Sequence, residues 1–335
     1  MINRTILQSL TEGNFKKDFI RKALLFKGLQ QKQLFKLARD KRKEYFLSRV
    51  VEVRSVIEIS NICRRKCNFC NINFHAKIPQ RYTLKYTEII KIIEYIYYKK
   101  NRRVVLLQSG ENRSQAYIDF VAKCVRNIKR KFNDIIIILS LGNLARNQYT
   151  QLRDSGADRY ILKFETSTPK LYKQIKPDDS LEERVRCIRQ LSELGFEVGI
   201  GNIIGPPGQT IDDVVNDLFF MGNFKLTMAS CSVFFPGENS NYQNKPVGDI
   251  DIALNYMALM RIMYPGMLIP STSSLERVKK GGQYLGLAAG ANAVTIHDGT
   301  PRELKKNFPI YSVKRFTPCE KFIKNIITKA RLRFR

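Results

Sequence analysis

The sequence predicts an α/β fold: a (β/α)8 TIM-type barrel with an N-terminal helical extension and a C-terminal helical tail. Short apolar, β-branched runs recur along the chain, and a stretch of helical periodicity separates each run from the next. The alternation occurs eight times. Strands that are apolar throughout and joined by helices imply a parallel sheet covered on both faces. Eight such units suit a closed barrel, with an open doubly wound sheet as the alternative.

Residues 1–50 make the extension, with helices read over 14–50, and the barrel occupies 51–300. Val53–Ser60 is the first strand and Leu84–Tyr98 the first barrel helix. Val104–Ser109 and Gln115–Phe132 form the second unit, Ile135–Ser140 and Ala145–Ser155 the third, and Tyr160–Glu165 and Leu181–Leu194 the fourth. Glu197–Ile204 and Ile211–Gly222 follow, then Ala229–Phe234 and Ile250–Tyr264. Met267–Ser271, the short helix Gly281–Ala289 and the strand Ala293–His297 complete the set. From about residue 250 the barrel portion closes over its lumen, and 301–335 is a basic tail.

Composition narrows the class. Of 335 residues, 44% are hydrophobic and 10% aromatic, which excludes a disordered chain. No apolar run is long enough to span a bilayer, and the first 30 residues lack the apolar core of a signal peptide. Fifty-eight Lys and Arg against 30 Asp and Glu give a net charge of +28. These cations are spread over the whole chain and no RNA-binding signature interleaves them with aromatics, so a solvated basic surface is expected and nucleic acid is not. Such a surface would also attract anionic substrates or an acidic partner. Seven cysteines, three of them within Cys63–Cys70, read as reduced thiols in a cytoplasmic protein, some held by a metal.

In a barrel, chemistry sits where strands end and loops begin. The first strand ends in Cys63-Arg64-Arg65-Lys66-Cys67-Asn68-Phe69-Cys70, a C-x3-C-x2-C spacing. Three thiolates on one loop can hold three corners of a [4Fe-4S] cubane and leave one iron open to a ligand. Arg64, Arg65 and Lys66 would offset their charge. A zinc site would need a fourth ligand, from His75 or a distant cysteine, and unliganded buried thiols are the remaining alternative.

The C-x3-C-x-aromatic-C motif after the first strand resembles the radical S-adenosylmethionine (SAM) superfamily. The resemblance implies that Cys63, Cys67 and Cys70 bind a [4Fe-4S] cluster whose open iron chelates SAM, with Phe69 beside the cofactor. Ser109-Gly110-Glu111 then stands in the place of the family's Gly-Gly-Glu motif near the methionine ammonium. Ser140 would face the cofactor, Glu165 would meet the ribose hydroxyls, and Arg184 would pair with the methionine carboxylate. Gly201, Ile203 and Gly205 match the G-x-I-x-G motif beside the adenine. Taken alone, the same positions are strand-to-helix turns, a solvated glutamate, a surface arginine, and a Gly-rich turn capped by Thr210 and Asp213.

Val105–Glu111, Leu139–Gly142, Gly156–Thr166 and Pro207–Asp213 resemble the branch holding the [FeFe]-hydrogenase maturase, biotin synthase and methylornithine synthase. The resemblance covers roughly residues 50–300. It implies a 5′-deoxyadenosyl radical acting on a small substrate in the lumen, with an electron donor such as ferredoxin or flavodoxin. Sulfur insertion into C–H bonds, as in biotin or two-protein lipoyl synthesis, is the alternative. It would need an auxiliary iron–sulfur cluster, and in the lipoyl case the substrate would be a lipoyl-type carrier rather than a small molecule. The matching strands carry Ser109, Ser140 and Gly201, however, and offer no cysteines for a second cluster. An RNA-modifying radical enzyme and a non-catalytic cluster or zinc protein are more distant readings. Cys124 and Cys187 fall in outer helices, Cys231 could face the lumen as a reactive catalytic thiol or an auxiliary ligand, and Cys319 lies in the tail, a ligand only if it meets a partner across space. His297 and Asp298, at the end of the last strand, are candidates for substrate contact or proton transfer. Thr272, Ser273, Ser274, Glu276 and Arg277 could bind a polar substrate.

Overall fold

The computed structural model describes residues 2–309 and 316–334. Nine strands are present among them: β1 (Val50–Ser60), β2 (Val104–Ser109), β3 (Ile136–Ser140), β4 (Arg159–Ile161), β5 (Glu197–Ile204), β6 (Met228–Val233), β7 (Pro270–Ser271), β8 (Ala293–Ile296) and β9 (Arg333–Phe334). The sheet order is β6-β5-β4-β3-β2-β1-β8-β7, and every pairing is parallel. The seam between β6 and β7 is closed by one bridge: the Leu268 amide donates to Thr227 O at 2.8 Å, and the Ala229 amide to Leu268 O at 3.1 Å. The barrel is therefore nearly closed, as expected.

Val56, Val104, Leu106, Ile138 and Met228, from four strands, form an apolar layer separate from the larger core between strands and helices. Leu106 and Met228 also line the central cavity, so this layer is the floor on which the cavity rests. Arg54, which also touches the cavity, pairs with Glu52 at 2.5 Å, and Arg159 bridges Glu52 (2.8 Å) and Glu197 (2.7 Å).

The extension consists of helices Ile2–Thr11, Lys17–Leu24 and Gly28–Tyr45. It packs on helix Ile250–Met263, whose buried Asn255 donates to Leu24 O and Phe26 O, and so covers the β6–β7 side. Thr210 and Asp213 make the expected capping box at helix Ile211–Phe220.

Some elements differ from expectation. β4 stops at Ile161, not Glu165, and beyond it only Glu165, at φ 63°, bridges back to Asn202 of β5. Helices Pro169–Ile175 and Ser273–Val278 were not read from sequence. In the tail, helix Glu320–Lys329 was expected, but the pairing of β9 with Val50–Val51 was not. Residues 310–315 and Arg335 of the 301–335 tail lie outside the described residues. No helix among the described residues is long and apolar enough to cross a membrane.

Candidate active site

The C-terminal ends of the strands surround a cavity of about 340 Å³. Its lining includes Cys63, Cys67, Cys70, Phe69, Ser109, Gly110, Glu111, Ser140, Glu165, Arg184, Ile203 and His297, so one space gathers most of the residues picked from sequence.

The cysteine loop is pinned to the edge of β2. Gly110 lies so close that a Cβ there would sit 2.4 Å from Ile62 O and 2.6 Å from Cys63 Cβ. The Glu111 amide donates to Cys63 Sγ at 3.3 Å, and the Arg65 amide to the same sulfur at 3.4 Å. Arg81 holds the two ends of the loop together, donating to the carbonyls of Asn61, Ile72, Asn73, Phe74 and Ala76. Burial raises the Cys63 thiol; burial and then Cys63 push Cys70 up to about 12; burial holds Cys67 higher still. A bound cation reverses this by stabilising thiolate. Among the described residues no three His, Cys, Asp or Glu side chains crowd around a point that one ion would fill. A soft, three-thiol set with amide donors to sulfur, facing an open cavity, fits a cluster with one corner left free.

Beside the thiols lies a buried ion cluster. Asp179 accepts from Arg184 at 2.8 Å and Tyr172 Oη at 2.9 Å, and pairs with Lys176 at 2.6 Å and Arg65 at 3.3 Å. Glu111 pairs with Arg65 (2.8 Å) and Arg113 (3.0 Å) and accepts the Asn143 amide (3.0 Å). Gly142, at φ 83°, makes room for it, since a Cβ there would lie 2.5 Å from Glu111 Oε2. Arg184 and Lys176 both reach the cavity lining. Burial and Arg184 lower the Lys176 ammonium, but Cys67, Tyr172 and Asp179 outweigh them and leave it raised. Lys176 was missed because Lys176-Pro177-Asp178-Asp179 reads as a solvated turn.

Glu165 holds a left-handed conformation uncommon for a side-chain-bearing residue, fixed by backbone bonds to Gly201 and Ile203 of β5. Its carboxylate lies 3.0 Å from Lys163 Nζ, and both residues line the cavity. On the far wall, His297 Nδ1 is 2.7 Å from Glu58 Oε1, and the Thr300 hydroxyl donates to the other oxygen. Glu58 is fully buried and was not anticipated, because a carboxylate inside a strand carries no motif of its own.

Cys231, Gly201, Gly205, Ser274, Glu276, Arg277 and Asp298 fall outside the cavity lining. Cys231 is not a lumen thiol: Ser230 and Ser232 take the inward positions, and Cys231 points outward, donating to Ala253 O at 3.5 Å. Gly205 is likewise not at the cavity. It sits at φ 87°, where a Cβ would meet Gly248 Cα at 2.5 Å, so it serves the turn. Gly201 leaves space that the Ser230 hydroxyl fills, 2.3 Å from where its Cβ would be. Asp298 is drawn to Lys100 (2.6 Å) and Arg102 (2.5 Å), Glu276 accepts the Gly281 and Gln283 amides, and Arg277 lies 4.8 Å over Phe235. Thr272 and Ser273 do line the cavity. Cys124 and Cys187 are buried, Cys319 is exposed, and among the described residues the cavity wall holds no cysteine beyond the three of the loop.

Comparison with known proteins agrees with this geometry. The Radical SAM superfamily profile matches residues 57–221. The chain is 34% identical over 317 residues to the [FeFe] hydrogenase maturase subunit HydE of Thermotoga maritima, covering 94% of this chain and 89% of that protein. It is 25% identical to a biotin synthase of Parabacteroides distasonis, over 76% of this chain and 78% of that one. The crystal structure of methylornithine synthase (PylB) superposes with a TM-score of 0.82 at 23% identity, covering 97% of this chain and 95% of that one. With the barrel, the cysteine loop and the HydE match along most of its length, the chain belongs to the radical SAM superfamily and is a radical SAM enzyme.

Proposed function

We propose that this enzyme holds its [4Fe-4S] cluster on Cys63, Cys67 and Cys70 and acts on a small polar substrate in the lumen, in a maturase-type reaction like that of HydE. The observation that carries the reading is the convergence of the three thiols, the Arg184–Lys176–Asp179 cluster and Glu165 on one cavity. When bound, the cluster and SAM supply the chemistry of the family: an electron from outside cleaves the sulfonium and yields the 5′-deoxyadenosyl radical.

The chain's own residues bind and orient. Arg184 and Lys176 present buried positive charge to a carboxylate. Ser109, Gly110 and Glu111 place backbone and carboxylate beside the thiols. Glu165 and Ser140 offer oxygens to ribose hydroxyls, while Phe69 and Ile203 give an apolar wall for a base, with Gly201 behind it. His297, oriented by Glu58, holds a proton at the substrate end. The inward hydroxyls of Ser230, Ser232 and Thr272 suit a polar substrate. Phe308 lines the cavity too and helps keep water out. We read one cluster per chain, and an external low-potential carrier, such as ferredoxin or flavodoxin, as reductant.

The test is anaerobic reconstitution with iron and sulfide, followed by dithionite and SAM. Release of 5′-deoxyadenosine with about four irons per chain supports the reading, and about eight irons would favour sulfur insertion. Replacing HydE by this chain in a hydrogenase maturation system should yield hydrogen evolution. Failure there, with cleavage intact, would move the enzyme to a different substrate.

A further inference from the structure

Residues 59–87 carry six cations, Arg64, Arg65, Lys66, Lys77, Arg81 and Lys85, and no carboxylate. Arg65 and Arg81 are spent inside, on the ion cluster and on the loop carbonyls. Arg64, Lys66, Lys77 and Lys85 are exposed. Among them stand two exposed apolar side chains, Phe74 (59%) and Ile62 (41%), with the His75 ring edge-on to Phe74 at 5.1 Å. The segment folds back on itself: the Phe74 amide donates to Arg65 O at 2.7 Å, and Arg81 ties Asn61 to Ala76. Phe74, Lys77 and the cysteines therefore belong to one small rigid unit whose outer side is the protein surface beside the thiols. Neighbouring segments add the exposed cation Lys306 and the carboxylates Asp178, Glu238 and Glu303.

An apolar centre within a segment whose own charges are all positive, with scattered carboxylates only on neighbouring segments, is the anatomy of a transient, electrostatically steered interface. We propose that this rim, centred on Phe74 and Lys77, docks an acidic protein that carries one low-potential electron. The proposal rests on the reading of the three cysteines as cluster ligands, and it names where the partner of that site binds. One electron leaves the reduced carrier and enters the enzyme here, through the segment that carries the thiols. Charge complementarity selects the occupant: the rim is basic, so the carrier must be acidic.

The experiment titrates the reconstituted enzyme with an oxidised bacterial ferredoxin by calorimetry at several salt concentrations. Lys77→Glu and Phe74→Ser are compared with the parent, with Lys77→Gln held in case the reversal lowers iron loading. The expected result is about tenfold weaker binding for Lys77→Glu at low salt, a gap that closes towards roughly 0.5 M salt, and weaker binding at all salts for Phe74→Ser. Cleavage of SAM driven by reduced ferredoxin should fall in step, while cleavage driven by dithionite stays at the parent rate. Equal ferredoxin affinity in parent and variants overturns the surface. So does loss of binding to a single-stranded RNA probe with ferredoxin affinity unchanged, because the rim would then belong to nucleic acid. No dithionite-driven cleavage in the parent overturns the cluster reading beneath it, whatever the binding shows.

Discussion

The two ends of the barrel lumen both carry ion clusters, placed differently. At the floor, Arg54 and Arg159 meet Glu52 and the half-exposed Glu197. At the mouth, Arg65, Arg113, Lys176 and Arg184 meet Glu111 and Asp179, with Asp178 and Glu183 at the edge, beside three thiols. The floor cluster reaches the outer surface through Glu197. The mouth cluster sets buried Lys176 and Arg184 on the cavity lining, where an anionic cluster and a carboxylate ligand would meet them. Burying a charge is costly unless it is paired, so buried cations on the wall of an open cavity signal an incoming ligand.

Cys67→Ala should break the contrast most sharply. Iron after reconstitution is expected to fall from about four per chain to background, with the far-UV circular dichroism of the parent retained. Undiminished iron would unseat the thiol assignment.

Asp179→Asn comes next. It removes the carboxylate that Lys176, Arg184 and Arg65 share, and breaking a buried pair costs roughly 3–5 kcal/mol, measurable by urea unfolding at neutral pH. Burial raises this carboxyl, but Arg184 and then Lys176 outweigh it and hold the group well below the usual range. Its contribution is therefore whole above the unfolded value of about 3.9 and fades only as pH falls through the depressed folded value.

At the floor, Glu52→Gln should cost less, about 2 kcal/mol, because the amide oxygen still accepts from Arg54 and Arg159. Iron loading should be untouched. A loss of loading would erase the division between the two ends.

A pH-resolved effect reads the layer between β5 and helix Ile211–Phe220. Burial raises Asp217 to about 6, although Asn202 and Ser167 donate to it. A raised carboxyl favours the fold while protonated. That contribution is present below about 3.9 and is lost as pH climbs towards 6, a step of about 3 kcal/mol at 1.36 kcal/mol per unit. Asp217→Asn should flatten the step in unfolding curves taken from pH 4 to 7, and an unaltered step would assign it to another group.

The strands were legible because continuous apolar runs are hard to place anywhere but between two helical layers. β2 and β5 have the bounds read from sequence. The cysteines, Glu165 and Arg184 were legible through their motif. Strands buried on both faces do not reveal which side faces the lumen, and this is why Cys231 was taken for a lumen thiol. Glu58 was invisible for a related reason, since its partner His297 is distant in sequence, and Lys176 was hidden in a segment that reads as a solvated turn. β7 was overestimated because Leu268 keeps only a bridge to Met228 where a full strand was expected.

Arg81 carries a last consequence. By gathering five carbonyls from both sides of the cysteine run, it shapes the loop with protein bonds alone. Cluster assembly is then the filling of a finished mould, with little chain ordering left to oppose it. A chain stripped of its iron by oxygen should keep residues 61–80 as resistant to proteolysis as the loaded form, and recover once iron and sulfide return.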